Sequence, residues 1–298
     1  GFGTFDLTQA TDYPMTRMGQ NYQLLTSMYR DNWIVQNIVS VIPTDMVRKW
    51  FELSTTIDQN YLDDFQRLER KTQIKKKILD GLCWGRLYGG AVGLILVKGQ
   101  DDLSKPLDLD AVMPGSFQGL RILDRWSGVF PQGQLVTDPE DPDFGLPEYY
   151  TIRDVRDTFE INVHHSRMIR FIGRELPWLE QVAELYWGES EIEAIYNEIV
   201  RRDNVAANIT ALTFKASVEY REVEGLDQLL GIGSTEMQRR FWNQMNAMSI
   251  VRSSQGIALI NKGDAVHHET YTFAGLGDVY DRIMMDVAGA ARTPVTKL

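Results

Sequence analysis

The sequence is short of the residues that most often carry chemistry. Its 298 residues include one cysteine, Cys83, and four histidines. A single cysteine excludes an intrachain disulfide and fits a reducing compartment. Set in LDGLCWGRLYGG, Cys83 reads as a small buried apolar residue. No window approaches 18 uninterrupted apolar residues, so no transmembrane helix and no membrane partner are expected. The opening GFGTFDLTQATDYPM lacks a basic n-region and an apolar h-region, so it does not read as a secretory signal. Without an initiator Met, it reads as the start of a trimmed or partial chain. Positive charge is also in deficit, with 31 Lys and Arg against 41 Asp and Glu and a formal charge of −10. Proteins that grip a nucleic-acid backbone cluster Lys and Arg to displace its counterions. The balance here argues against tight general DNA binding, though not against DNA passing close by without being held.

Catalytic signatures are lacking too. No G-x-x-x-x-G-K-[ST] loop is present to cradle phosphates, which excludes an ATP-driven motor. GIGSTE and GLGDVY each offer only Gly-x-Gly before a helix and read as turns feeding helix N-termini. There is no G-x-S-x-G elbow and no H-E-x-x-H pair. The four histidines fall as two adjacent pairs, His164-His165 in VHHSRM and His267-His268 in VHHETY. Both pairs precede or begin segments that read as strands, where neighbouring side chains point to opposite faces. Adjacent histidines so placed are poorly set to share a metal. No C-x-x-C and no nearby carboxylate with ligand spacing completes either half. The expectation is therefore no metal and no cofactor, with one histidine of each pair packed and the other exposed. The acidic stretch TDPEDPDFGLP, with Asp138, Glu140, Asp141 and Asp143, lacks EF-hand spacing and reads as an exposed turn.

What is present is an α+β pattern with ordinary bulk composition, 43% hydrophobic and 24% charged. Asp31 can cap a helix in which Ile34, Val35, Ile38, Val39 and Ile42 form one stripe, with Pro43 breaking it. Asp58 to Gly85 reads as one long amphipathic helix whose Lys75–Lys77 run is a solvated face. Short strands punctuated by turns then predict a small antiparallel β-unit from about residue 89 to 173. Ser190 and Glu193 stand at capping-box spacing before a helix that reaches about residue 210, roughly 30 Å long. A strand (FKASVEYREVE), a helix (TEMQRRFWNQMNAMSIVR), two strands (GIALINKG and HHETYTF) and a final helix (LGDVYDRIMMDVAGAAR) complete the chain. A small α/β unit is thus inserted between two helices.

Four segments in this order, RDNWIVQNIVSVIPTDMVRKW, VHHSRMIRFIG, WGESEIEAIYNEI and AGAARTPVTKL, together resemble tailed-bacteriophage portal proteins. The branch they most resemble is a phage-associated portal family formerly called a domain of unknown function. The likeness runs from about Tyr22 to Leu298. It implies an N-terminal arm over 1–19, a helical and β-rich wing over 20–187, and a first stem helix over 188–210. A small α/β clip would follow over 211–274, a second stem helix over 275–291, and the start of a tunnel loop over 292–298. The crown would be absent from this chain.

By the same resemblance the protein would be a ring, twelve subunits in most portals, at one capsid vertex of the virion, assembled in the bacterial host cytoplasm. It would be a conduit for genome packaging, head–tail attachment and ejection, without catalysis. Its partners would be the terminase large subunit, a head–tail adaptor, the major capsid and scaffolding proteins, and double-stranded DNA passing without tight sequence-specific binding. Twelve copies bring about −120 formal charges around that DNA, which favours sliding over sticking. Glu189, Glu191, Glu193, Glu198, Asp278 and Asp281 are therefore expected on the channel side of the stem, although they also fit the solvated faces of two amphipathic helices. Phe214, Ala216, Val218 and Tyr220 alternate with Lys215, Ser217, Glu219 and Arg221, so Lys215, Glu219, Arg221 and Glu222 are candidate clip contacts with a neighbouring subunit or partner. Phe241, Trp242, Met245 and Met248 read as the core of that module. Two readings from other classes stay open: a metal-dependent hydrolase or nuclease using the paired histidines, His165 and His268 among them, and a monomeric α/β binding module.

Overall fold

Two asparagines set the first helices. In the computed structural model the Asn21 side chain accepts from Leu24 N (3.1 Å) and starts α1, Tyr22–Asp31. The Asn32 side chain accepts from Ile34 N (3.0 Å) and starts α2, Trp33–Arg48. Each satisfies an amide that the helix itself leaves without a partner. Asp31 therefore ends α1 and does not cap α2. Pro43 lies inside α2 and does not break it. A proline removes one rung of a helix, and here Ile34, Val35, Ile38, Val39 and Val47 are buried on both sides of that rung and hold the helix together. The residues described are 21–51, 58–153, 160–215, 217–222, 265–270 and 275–298, with helical positions 235–236, 238–240, 242–243 and 246–247.

The segment read as one helix from Asp58 to Gly85 is two, α3 (Gln59–Thr72) and α4 (Ile74–Tyr88). Gln73 between them is left-handed, with φ of 52°. Packing explains the break. No residue of α3 is buried, whereas α4 buries Gly81, Cys83, Gly85 and Leu87. Lys75 and Lys76 are exposed, in keeping with a solvated face. Burial pushes the Cys83 thiol up to about 11, so it stays protonated and inert.

The β-unit expected near 89–173 holds six strands in two antiparallel sheets. One has the order β2-β1-β6, from β1 (Gly90–Val97), β2 (Phe117–Asp124) and β6 (Met168–Ile172). The other has the order β3-β4-β5, from β3 (Val129–Pro131), β4 (Tyr149–Arg153) and β5 (Glu160–His164). Register sets Val92 opposite Leu123 and Arg170, and Tyr150 opposite Val163. Val92, Leu94, Tyr150, Ile152, Val163, Met168 and Trp187 form a shared apolar core.

A second core gathers helices. It joins Leu25 of α1, the α2 stripe and Leu87 of α4 with Ile192 of α6 (Glu191–Ala194), Ile195 and Ile199. Val287, Ala288, Ala291 and Leu298 close it. The short α5 (Trp178–Ala183) precedes α6. Ile195 (φ −116°, ψ 9°) separates α6 from α7, Tyr196–Lys215. Phe214 and Lys215 thus end a helix, where a strand was expected. β7 (Ser217–Glu222) pairs antiparallel with β8 (Ala265–Thr270), Ser217 opposite Thr270. The last helix is α8, Leu276–Ala290. The GIALINKG strand lies outside the described residues, as do the side chains of Phe241, Met245 and Met248. Two compact units result: the chain through Arg201 with Ile283–Leu298, and Arg202–Arg282.

The Gln73 junction gives a test whose sign is informative. Glycine adopts the left-handed region freely. Gln73→Gly should leave stability unchanged or raise it by up to about 1 kcal/mol in urea unfolding. In a continuous helix the same change would lose about 1 kcal/mol.

Candidate functional site

The acidic helix starts where three stretches of backbone meet. Gly89, at φ 84°, ends α4, and its carbonyl accepts from Gly173 N (3.1 Å) and Gly188 N (3.0 Å). Arg174 and Glu189 exchange two backbone bonds of 2.9 Å beside it. A Cβ on Gly89 would fall 2.3 Å from Gly188 O, and one on Gly173 2.4 Å from Glu189 O. The next residue, Ser190, is buried; its hydroxyl donates to Leu87 O (2.6 Å) and accepts from Ile192 N (3.1 Å). That is the N-cap its sequence spacing predicted.

Arginines surround this start. Glu191 lies 3.5 Å from Arg86 Nη1 and 3.4 Å from Arg174 Nη2. Arg86 also donates to Ile38 O (2.9 Å). Arg125 and Glu184 pair at 2.8 Å with less than a tenth of either side chain exposed. Arg170 donates to Tyr186 O and lies over the Trp187 ring, 5.6 Å from its centroid. The four arginines come from positions scattered between 86 and 174, so sequence spacing gave no sign of the cluster.

The structure distributes the expected channel residues unevenly. Glu191 is committed to internal ion pairs. Glu189 is half-buried, and its carboxyl is pushed above the usual range by desolvation, with Glu193 adding repulsion. Glu193 and Glu198 are half-buried, while Asp278 and Asp281 are exposed. Within the second unit, Arg202 donates to the Tyr280 hydroxyl from Nε (3.1 Å) and Nη2 (2.7 Å). Lys215 ends α7, and Glu219, Arg221 and Glu222 stand on β7 opposite His268, Val266 and Ala265. Their side chains lie outside the described residues.

The first histidine pair departs from expectation: both rings are buried, with centroids 4.4 Å apart. His164 ends β5, and His165 opens a 3-10 turn over His165–Arg167. Strand alternation stops between them, which lets both rings turn inward. His164 Nδ1 accepts from Ser166 N (3.3 Å), and its Nε2 lies 4.0 Å from Glu148. Desolvation, then the neighbouring His165, lowers its pKa. His165 Nδ1 meets Asp143 Oδ2 at 3.0 Å, and its Nε2 lies 3.7 Å from Asp141 Oδ2. The acidic stretch read as an exposed turn without ligand spacing therefore folds back onto the histidine.

The same motif ties down a second loop. Arg167 is buried and donates to the carbonyls of Gln100 (3.3 Å), Lys105 (2.5 Å) and Pro106 (3.2 Å), while Ser166 Oγ accepts from Leu107 N (2.9 Å). His267 and His268 are adjacent on β8, opposite Tyr220 and Glu219.

Comparison with known proteins narrows the choice among these features. A family model described as phage portal protein matches residues 23–298. An uncharacterized protein of Haemophilus influenzae is 29% identical over 275 residues, 92% of this chain and 60% of that protein. An anti-CBASS protein Acb1 of Caulobacter sp. is 26% identical over 283 residues, 92% of this chain and 44% of that protein. This chain spans about half the length of the curated relatives it matches. A chain in the neck of an empty GTA particle has a TM-score of 0.54 at 13% identity, covering 95% of this chain and 71% of that one. At such identity the likeness is one of fold.

The arginine cluster makes the start of the acidic helix sensitive to one carboxylate. Removing one member of a partly buried ion cluster strands the others. Glu191→Ala should cost about 2–4 kcal/mol in denaturant unfolding, and Asp281→Ala, at an exposed site, less than about 0.5 kcal/mol.

Proposed function

The chain belongs to the phage portal protein family, and from that premise we propose that it forms a ring-shaped DNA conduit at one capsid vertex. The family match over residues 23–298 carries the reading. The fold likeness to a chain of a GTA particle neck supports it. In this proposal residues 20–187 are the wing, 188–210 and 275–291 the stem helices, and 211–274 the clip. The ring has twelve subunits and serves packaging, head–tail attachment and ejection. It meets the terminase large subunit, then a head–tail adaptor, within a shell of capsid and scaffolding proteins. It carries out no catalysis of its own.

Charge gives the conduit its character. A formal charge of −10 per chain opposes retention of DNA phosphates. Glu193, Glu198, Asp278 and Asp281 are the residues proposed for the channel wall, with half-buried Glu189 at its edge. Glu191 serves instead as internal anchor, since its oxygens already meet two arginines. Lys215, Glu219, Arg221 and Glu222 are proposed as contacts of the clip with its neighbours.

A second reading follows from the relatives named anti-CBASS protein Acb1. The shared region is 44% of the Caulobacter protein and 92% of this chain, while the portal model matches residues 23–298. On the first reading the property behind that name belongs to the remainder of those proteins, and on the second it belongs to the shared region. Counteraction of CBASS by this chain alone would favour the second reading over the first.

Negative-stain imaging and mass photometry of the purified chain should show rings; a uniform 34.1 kDa particle would count against the conduit. Replacing Glu193, Glu198, Asp278 and Asp281 together by Lys should raise DNA retention on the rings at least about tenfold at low salt, with a steeper salt dependence.

A further inference from the structure

Asp141, Asp143 and His165 offer metal-ligating atoms within 4.8 Å of one another, and the conduit makes no use of them. We propose that this cluster binds a divalent transition-metal ion of the zinc class, held by His165 Nε2 and Asp141 Oδ2, with Asp143 orienting the ring.

The atoms are already allotted in a way that suits an ion. The Asp143 carboxylate lies 3.0 Å from His165 Nδ1 and can only accept there, so the ring proton sits on Nδ1. In the neutral ring the lone pair is then on Nε2. A carboxylate on the far ring nitrogen is the usual support of a metal-bound histidine, fixing both tautomer and orientation. Nε2 faces Asp141 Oδ2 at 3.7 Å. This is too long for a hydrogen bond, but close to the separation of two ligands that share one ion at bonds of about 2.0–2.2 Å. The other oxygen of Asp141, Oδ1, accepts from Asp143 N at 2.8 Å, which directs Oδ2 at the ring.

Burial fixes the donor. His165 is 8% exposed and lies against the His164 ring. His164 does not join the set. Its Nδ1 takes the Ser166 amide hydrogen, so its proton sits on Nε2, toward Glu148. An imidazole nitrogen beside a carboxylate favours zinc-class ions over calcium or magnesium, which take oxygen ligands in larger number. Water would complete the coordination. The ion would tie the turn carrying Asp141 and Asp143 to the β5–β6 turn, a structural role independent of DNA passage.

The test uses the whole chain, stripped with a chelator and titrated with zinc chloride by calorimetry alongside thermal unfolding. The proposal expects about one zinc per chain and a rise in Tm with zinc but not with magnesium. Asp141→Asn should weaken zinc binding at least about tenfold, and Asp143→Asn by about 10–100-fold through loss of orientation. Asp141→His, which supplies a nitrogen in place of the oxygen, should restore binding and guards against a variant that merely misfolds. Unchanged affinity in Asp141→Asn, no zinc-dependent rise in Tm, or an equal response to magnesium would each overturn the site. An unresponsive cluster would then be a contact that joins the two turns without an ion. Stoichiometry is read per chain, so the result is the same whether or not the chains assemble into rings.

Discussion

Three glycines at one crossing, Gly89, Gly173 and Gly188, are the constraint on which the main unit depends. The carbonyl of Gly89 receives amides from both of the others, and side chains on Gly89 or Gly173 would collide with backbone oxygen. The end of α4, the exit of β6 and the entry to α6 can therefore approach to hydrogen-bond distance. Gly81 and Gly85 extend the same logic, letting α4 lie directly on Phe171 of β6. Backbone proximity lets Ser190 reach Leu87 O and brings Glu191 to Arg86 and Arg174.

The chain is acidic overall, and five of its arginines make internal contacts. Arg86, Arg125, Arg167, Arg170 and Arg174 bind carbonyls or carboxylates of loops and helix starts.

Some of this was legible along the chain. The apolar stripe of α2, the antiparallel β-unit, the Ser190 cap and the two flanking helices rest on local periodicity and capping chemistry, which neighbours in sequence fix. The breaks at Gln73 and Ile195 were not legible; the first separates a helix with no buried residue from one packed into the core. Pro43 shows the reverse case, where burial overrides a local helix breaker. The strand rule misjudged His164 and His165 because strand geometry ends between them.

By itself, the sequence determined the α+β class, the portal family resemblance, the negative charge and the lack of phosphate-binding and hydrolase motifs. These depend on composition and on residues close together in the chain. Only the tertiary structure decided that Glu191 is an anchor and that Asp141 and Asp143 attend His165. It also decided that Arg86, Arg125, Arg170 and Arg174 converge on one helix start. Those relations join residues tens of positions apart, and backbone crossings and side-chain burial create them.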